Sequence, residues 1–223
     1  VVGEGQILGQ TREALRLGQE LGTVGPALNT LFQQALRVGK RTRAETEIDQ
    51  VAPSLVSAAL DQTTDVVGQV KGKYVVVVGA GSMAGLATAT TTRLGAGHVS
   101  VVNRSLDRAQ HLAEQYAVHA APLGELQAEL ARADIVISCT GSTGIIVDRT
   151  MLEEARSDAG DRPIALIDLA LPHDIARDVT DLPGISLIGL ADLARVLQDG
   201  ASGREVTEVR RILGEEVTAF LAA

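Results

Sequence analysis

Aromatic side chains are nearly absent from this sequence. Among 223 residues there is no tryptophan, and Phe32, Phe220, Tyr74 and Tyr116 are its only phenylalanines and tyrosines. A core must therefore be assembled from Ala, Val, Leu and Ile, and stacking platforms for single-stranded nucleic acid are excluded. Cysteine is almost as scarce: Cys139 stands alone, and the four histidines share no metal-ligand spacing with it or with one another. Neither an internal disulfide nor a metal centre is expected, and an intracellular protein is. No apolar run approaches the roughly 20 residues needed to cross a bilayer, and the first residues have neither the basic start nor the apolar stretch of a secretion signal. The expected location is cytoplasmic, with no membrane contact. Basic residues are outnumbered as well. The net charge of −8 repels polyanions at long range, so contact with nucleic acid would need a local basic patch. An initiator methionine is missing, and helical periodicity starts within a few residues of Val1, so a piece of a longer protein is expected.

What is present has ordinary globular proportions, 45% hydrophobic and 22% charged, and the length suits one main core with appended helices. Ile7, Leu8, Ala14, Leu15 and Leu21 recur at helical intervals before Gly22 and Gly25-Pro26, which predicts a first helix and its stop. Leu28, Leu31, Phe32, Ala35 and Leu36 predict a second, whose C-terminal end is crowded by Arg37, Lys40, Arg41 and Arg43, where cations suit the helix dipole. Pro53 opens a third through Leu60. The pattern then changes. Tyr74-Val75-Val76-Val77-Val78 is a continuous β-branched run, suited to a strand buried on both faces. Further runs at Val99–Val102, Ile135–Ile137, Ile164–Ile167 and Ile185–Ile188, with a weak one near Ala117–Ala120, alternate with helical stretches. The expectation is an α/β fold, a doubly wound parallel sheet of order 3-2-1-4-5-6 flanked by an N-terminal helical segment and a C-terminal helix. That last helix runs through Leu193, Val196 and Leu197, crosses Gly200 to Gly203, and continues past Val217.

Directly after the valine strand comes Gly79-Ala80-Gly81-Ser82-Met83-Ala84-Gly85, and directly before a helix. In that context it reads as a Rossmann phosphate loop: Gly79 for the tight turn, Gly81 for close approach of a pyrophosphate, and Ala84 for helix-to-strand packing, with Gly85 helping to shape the loop. The second strand ends in Asn103-Arg104-Ser105. It has no carboxylate for the ribose hydroxyl of NAD, and Arg104 can pair with a 2′-phosphate while Asn103 and Ser105 donate, so the expected cofactor is NADPH. Thr140 and Gly141, closing the fourth strand, are expected to border the nicotinamide half. Cys139 is read as a small buried hydrophobe rather than a nucleophile. His173, in the loop that follows Asp168, is read as a surface histidine.

The opening segment Val1-Val2-Gly3-Glu4-Gly5-Gln6-Ile7-Leu8-Gly9-Gln10 resembles a signature of the glutamyl-tRNA reductase family. The likeness continues, in the family's order, through Ala35–Arg41, Gly79–Ala84, Val102–Arg104, Ser138–Gly141 and Asp168–Pro172. Two departures are mild: Gly5 stands where the family usually has proline, and Ala84 where it often has a third glycine. The resemblance implies NADPH-dependent reduction of glutamyl-tRNA to glutamate-1-semialdehyde through a cysteine thioester, opening the five-carbon route to tetrapyrroles such as porphyrin and haem. It assigns Glu4, Gly5, Gln6 and Gln10 to the glutamate and Gly79, Ala80, Gly81, Ser82, Met83 and Ala84 to NADP. The family's nucleophilic cysteine and nearby histidine lie before this signature, so no catalytic residue is assigned here and the isolated chain is expected to be inactive. The implied organisation is a helical tail of a catalytic domain and linker over 1–70, an NADP-binding domain over 71–190, and over 191–223 a spine helix leading to a dimerisation domain. Implied partners are glutamyl-tRNA, with Arg37, Lys40, Arg41 and Arg43 as its basic contact, a second copy in a homodimer, and a downstream aminomutase. Two other classes remain open: a shikimate-dehydrogenase-like NADP oxidoreductase, for which Lys40, Lys71 and Lys73 sit in no evident substrate motif, and a non-catalytic NADP-binding module.

Overall fold

The computed structural model describes residues 5–48, 51–158, 162–198 and 201–221. They form two compact units, residues 1–54 with 196–223, and residues 55–195. In chain order the elements begin with α1 (Gly5–Glu20) and α2 (Pro26–Glu45). Proline at the first position of α2 loses no hydrogen bond, because that N–H has no partner in a helix. The two helices approach closely at Gly39, where an added Cβ would collide with the Leu8 side chain.

The second unit carries α3 (Val51–Val67) from Leu55 onward, β1 (Tyr74–Val78), α4 (Ser82–Arg93), β2 (His98–Asn103), α5 (Leu106–Tyr116) and β3 (His119–Pro122). There follow α6 (Leu126–Arg132), β4 (Ile135–Ser138), α7 (Arg149–Ala155), β5 (Ile164–Asp168), β6 (Ile185–Gly189) and α8 (Leu190–Gln198). All five strand pairings are parallel, and the strand order is β3-β2-β1-β4-β5-β6. The sequence reading expected this order. Its physical basis is visible in the two cores. Val75, Val77, Ile135, Ile137, Ala165 and Ile167 pack with residues of α3, α4 and α5, while Val76, Val78, Val136, Ile164 and Leu166 pack with α6 and α7. Successive strand residues point to opposite faces, so continuous apolar runs are what a sheet covered on both sides requires.

The last helix, α9 (Ala201–Leu221), belongs to the first unit. There Leu15, Ile48 and Ile212 are buried, and Arg41 of α2 meets Glu215 and Glu216 of α9. No helix among the described residues is long and apolar enough to cross a membrane.

Two expectations need correction. The boundary expected after residue 70 falls at 54/55, because Val56, Ala59 and Leu60 of α3 are buried in the core beneath the sheet; the boundary expected at 190 falls at 195, since Leu193 is buried in that same core. The weak strand near Ala117–Ala120 is displaced to His119–Pro122. Ala117 adopts a left-handed conformation (φ 54°) to close α5, a backbone event that hydrophobic periodicity does not report.

Candidate functional site

The C-terminal ends of β1, β2 and β4 meet where the strand order reverses, and the glycine-rich turn leaves the sheet there. Gly79 donates its N–H to the Val102 carbonyl at 2.8 Å and has φ 123°, a region open to glycine and costly for other residues. A Cβ at this position would lie 2.9 Å from the Cys139 carbonyl oxygen. Around Gly81, by contrast, an added Cβ would meet nothing within 4 Å. Gly81 is the N-cap of α4 and makes no side-chain cap, so space is left beside the positive dipole end of this 12-residue helix, the kind of helix start that receives a pyrophosphate. Ala84 is fully buried against the sheet. Gly85 lies within α4, and a Cβ there would make an ordinary 3.5 Å contact with Leu112. The conformation of the turn therefore depends on Gly79, while Gly81 leaves the space beside it open and Gly85 is not required by the turn.

Beside the turn, a cleft of about 390 Å³ is lined by Val78, Val102, Asn103, Arg104, Ser105, Arg108, Thr140 and Gly141, among others. Arg104 and Ser105 are exposed at its mouth. The Asn103 amide donates to the Ser105 carbonyl at 3.0 Å, so one of its two donors holds the turn rather than facing a ligand. Arg108, in the first turn of α5, lines the same cleft as Arg104, which lies just before the N-cap Ser105, and the sequence reading missed it. The signal was a second arginine close after Arg104, at the start of the helix that follows it. Thr140 and Gly141, expected to border the nicotinamide half, line the same cleft as Arg104.

Thr140 is held by a carboxylate the sequence reading left without a role. Asp174, fully buried, accepts hydrogen bonds from Ser138 Oγ at 2.7 Å, Thr140 N–H at 2.8 Å and Thr140 Oγ1 at 2.6 Å. Asp168, also buried, accepts from the backbone N–H of Ala170 at 3.1 Å and Ile175 at 3.2 Å. Its Oδ2 lies 3.4 Å from Nδ1 of His173, whose Nε2 faces Arg177 at 3.3 Å. His173 is thus tied into the loop, and it does not reach the cleft that holds Arg104. Burial, with added repulsion from Asp174 and Asp168, pushes the Cys139 thiol up to about 12. It stays protonated at neutral pH, consistent with a packing role.

Of the segment expected to read glutamate, Gln10 is exposed on α1; Glu4 and the side chain of Gln6 lie outside the described residues. Of the four expected basic contacts, Arg37 and Lys40 are exposed, whereas Arg41 is bound by Glu45 at 2.8 Å, Glu215 at 3.1 Å and Glu216 at 3.0 Å. Arg41 is a tie within its own unit.

Comparison with known proteins gives two family matches. Residues 61–196 match shikimate / quinate 5-dehydrogenase, and residues 1–46 match the N-terminal domain of glutamyl-tRNAGlu reductase. A glutamyl-tRNA reductase of a Nocardioides species is 61% identical across 100% of this chain and 51% of its own length. One from Kineococcus radiotolerans is 45% identical across 100% of this chain and 50% of its own. The solved glutamyl-tRNA reductase of Methanopyrus kandleri superposes with a TM-score of 0.63 at 32% identity, over 97% of this chain and 55% of that one. The chain spans about half the length of the curated relatives it matches.

Proposed function

The chain belongs to the glutamyl-tRNA reductase family, with residues 61–196 belonging to the shikimate/quinate 5-dehydrogenase family of domains, and on that premise we propose that it is the NADPH-binding portion of an enzyme that reduces glutamyl-tRNA to glutamate-1-semialdehyde. The observation that carries the cofactor assignment is the pair Arg104 and Arg108 in one cleft beside the glycine turn. A 2′-phosphate between two guanidinium groups would make charge-assisted hydrogen bonds that the hydroxyl of NADH cannot.

The residues have distinct roles in this reading. Gly79 and Gly81, with Ala80, Ser82, Met83 and Ala84, receive the pyrophosphate at the start of α4. Arg104, Arg108 and Ser105 hold the adenosine phosphate, and Thr140 and Gly141, kept in place by Asp174, border the nicotinamide half. Glu4, Gly5, Gln6 and Gln10 recognise the glutamyl group. When bound, the nicotinamide supplies a hydride to the glutamyl carbonyl carbon. In the proposed reaction that carbonyl is presented as a cysteine thioester, and Cys139 does not provide the thiolate. For the whole protein the reading carries a homodimer, hand-over of the aldehyde to an aminomutase, a place at the entry to tetrapyrrole synthesis, and a cytoplasmic location. The shikimate/quinate match covers the cofactor unit, while residues 1–46 match a domain specific to the tRNA-dependent enzyme, which favours the latter activity.

The test is a fluorescence titration of the chain with NADPH and NADH. Wild type should prefer NADPH at least tenfold. Arg104→Asp should lose about ten- to hundredfold in NADPH affinity, the equivalent of a charged hydrogen bond worth roughly 1.5–3 kcal/mol, with NADH little changed. Equal affinity of the wild type for both nucleotides would remove the assignment.

A further inference from the structure

We infer that the groove between α1 and α2 is a contact surface for the phosphodiester backbone of folded RNA. The inference rests on the reading above that a charged tRNA is the substrate, and it names the part of the chain that meets it. The groove has a volume of about 600 Å³ and gathers Arg12, Arg16, Arg37 and Lys40 above Leu15 and Leu36. Four cations thus line one groove in a chain whose net charge is −8. Arg16 is held by Glu13 and Glu20 of its own helix. Among the described residues, no carboxylate lies within ion-pair distance of Arg12, Arg37 or Lys40. From Pro26 to Ala44, α2 contains no acidic residue, so the positive field along it is not cancelled within the helix.

The near-absence of aromatic residues narrows the partner. The groove lining offers unpaired bases no aromatic ring to stack on, whereas phosphate contacts from Arg and Lys require no aromatic surface and suit a folded, largely base-paired RNA. Of the basic set expected from the sequence, Arg37 and Lys40 line the groove, joined there by Arg12, while Arg41 and Arg43 do not line it. Arg41 drops out because three carboxylates already hold it.

The test is binding of a fluorescently labelled, uncharged tRNA(Glu) transcript by the 223-residue chain over a series of NaCl concentrations. A variant combining Arg12→Glu, Arg37→Glu and Lys40→Glu should weaken binding at low salt by more than about tenfold. It should also flatten the slope of log K against log salt by about 2 to 3, since each phosphate contact contributes roughly 0.7–0.9. The corresponding triple glutamine variant should flatten the slope equally with a smaller loss of affinity, which separates lost contacts from added repulsion. Helicity and NADPH binding should match wild type in both. Wild-type affinity and slope in both variants, or no binding of the transcript by the wild-type chain at low salt, overturns the groove and leaves the cofactor reading standing. Failure of the wild-type chain to bind NADPH would instead bring down the reading on which the groove depends.

Discussion

Gly79 and Gly85 stand in one glycine-rich stretch, yet the structure asks different things of them. Gly79 holds φ 123° with the Cys139 carbonyl oxygen 2.9 Å from where a Cβ would sit. Gly79→Ala should therefore cost about 1–3 kcal/mol of backbone strain, with the clash in addition. Gly85 is helical and its added methyl would touch Leu112 at an ordinary 3.5 Å. Gly85→Ala should be neutral or stabilising by up to about 1 kcal/mol, the helix preference of alanine over glycine. Urea midpoints of the two variants, with NADPH affinity measured alongside, decide whether only the first glycine is obligatory; similar losses in both would refute the distinction. The spacing of the glycines is written in the sequence, but the torsion angle and the approach of Cys139 are not. Asp174 makes the same point. Its sequence neighbourhood is an ordinary polar loop, and only the placement of β5 beside β4 brings its carboxylate to Ser138 and Thr140.

Among the elements, the strands other than β3 were legible because each carries a short run dominated by Val, Ile, Leu and Ala, and a helix boundary was legible wherever glycine or proline marked it. The pairing of α2 with α9 was not, because its partners are separated by 175 residues, with Arg41 donating to Glu216 at 3.0 Å and Gln34 donating to it at 2.6 Å. Glu216 has only 8% of its side chain exposed, against 47% for Glu215. Removing the buried acceptor strands two donors, so Glu216→Ala should cost about 1.5–3 kcal/mol, the range for hydrogen bonds to a charged group. Glu215→Ala should cost less than about 1 kcal/mol, as exposed ion pairs do. Thermal unfolding followed by far-ultraviolet circular dichroism compares the two, and equal midpoints would show that burial does not set the value of this tie.

For the whole molecule, the expected behaviour follows from its single thiol. Cys139 is held near 12 by burial and cannot serve as a thiolate at neutral pH, so the chain should bind NADPH while failing to oxidise it in the presence of glutamyl-tRNA. Cys139→Ser should leave NADPH affinity within about twofold, since the thiol serves only to pack. Turnover by the wild-type chain that disappears in Cys139→Ser would reverse that conclusion. The sequence by itself determined the parallel sheet, its strand order and the phosphate turn, because apolar periodicity and glycine spacing are local properties that one stretch of chain carries. It also carried the likeness to a family, through short runs of residues in a fixed order. Only the tertiary structure decided that α3 packs under the sheet, that Thr140 and Gly141 line one cleft with Arg104 and Arg108, and that Arg41 is bound to carboxylates of α9 while Arg12 joins Arg37 and Lys40. Each of these depends on distant segments meeting, and neither charge nor hydropathy along the chain specifies which segments those are.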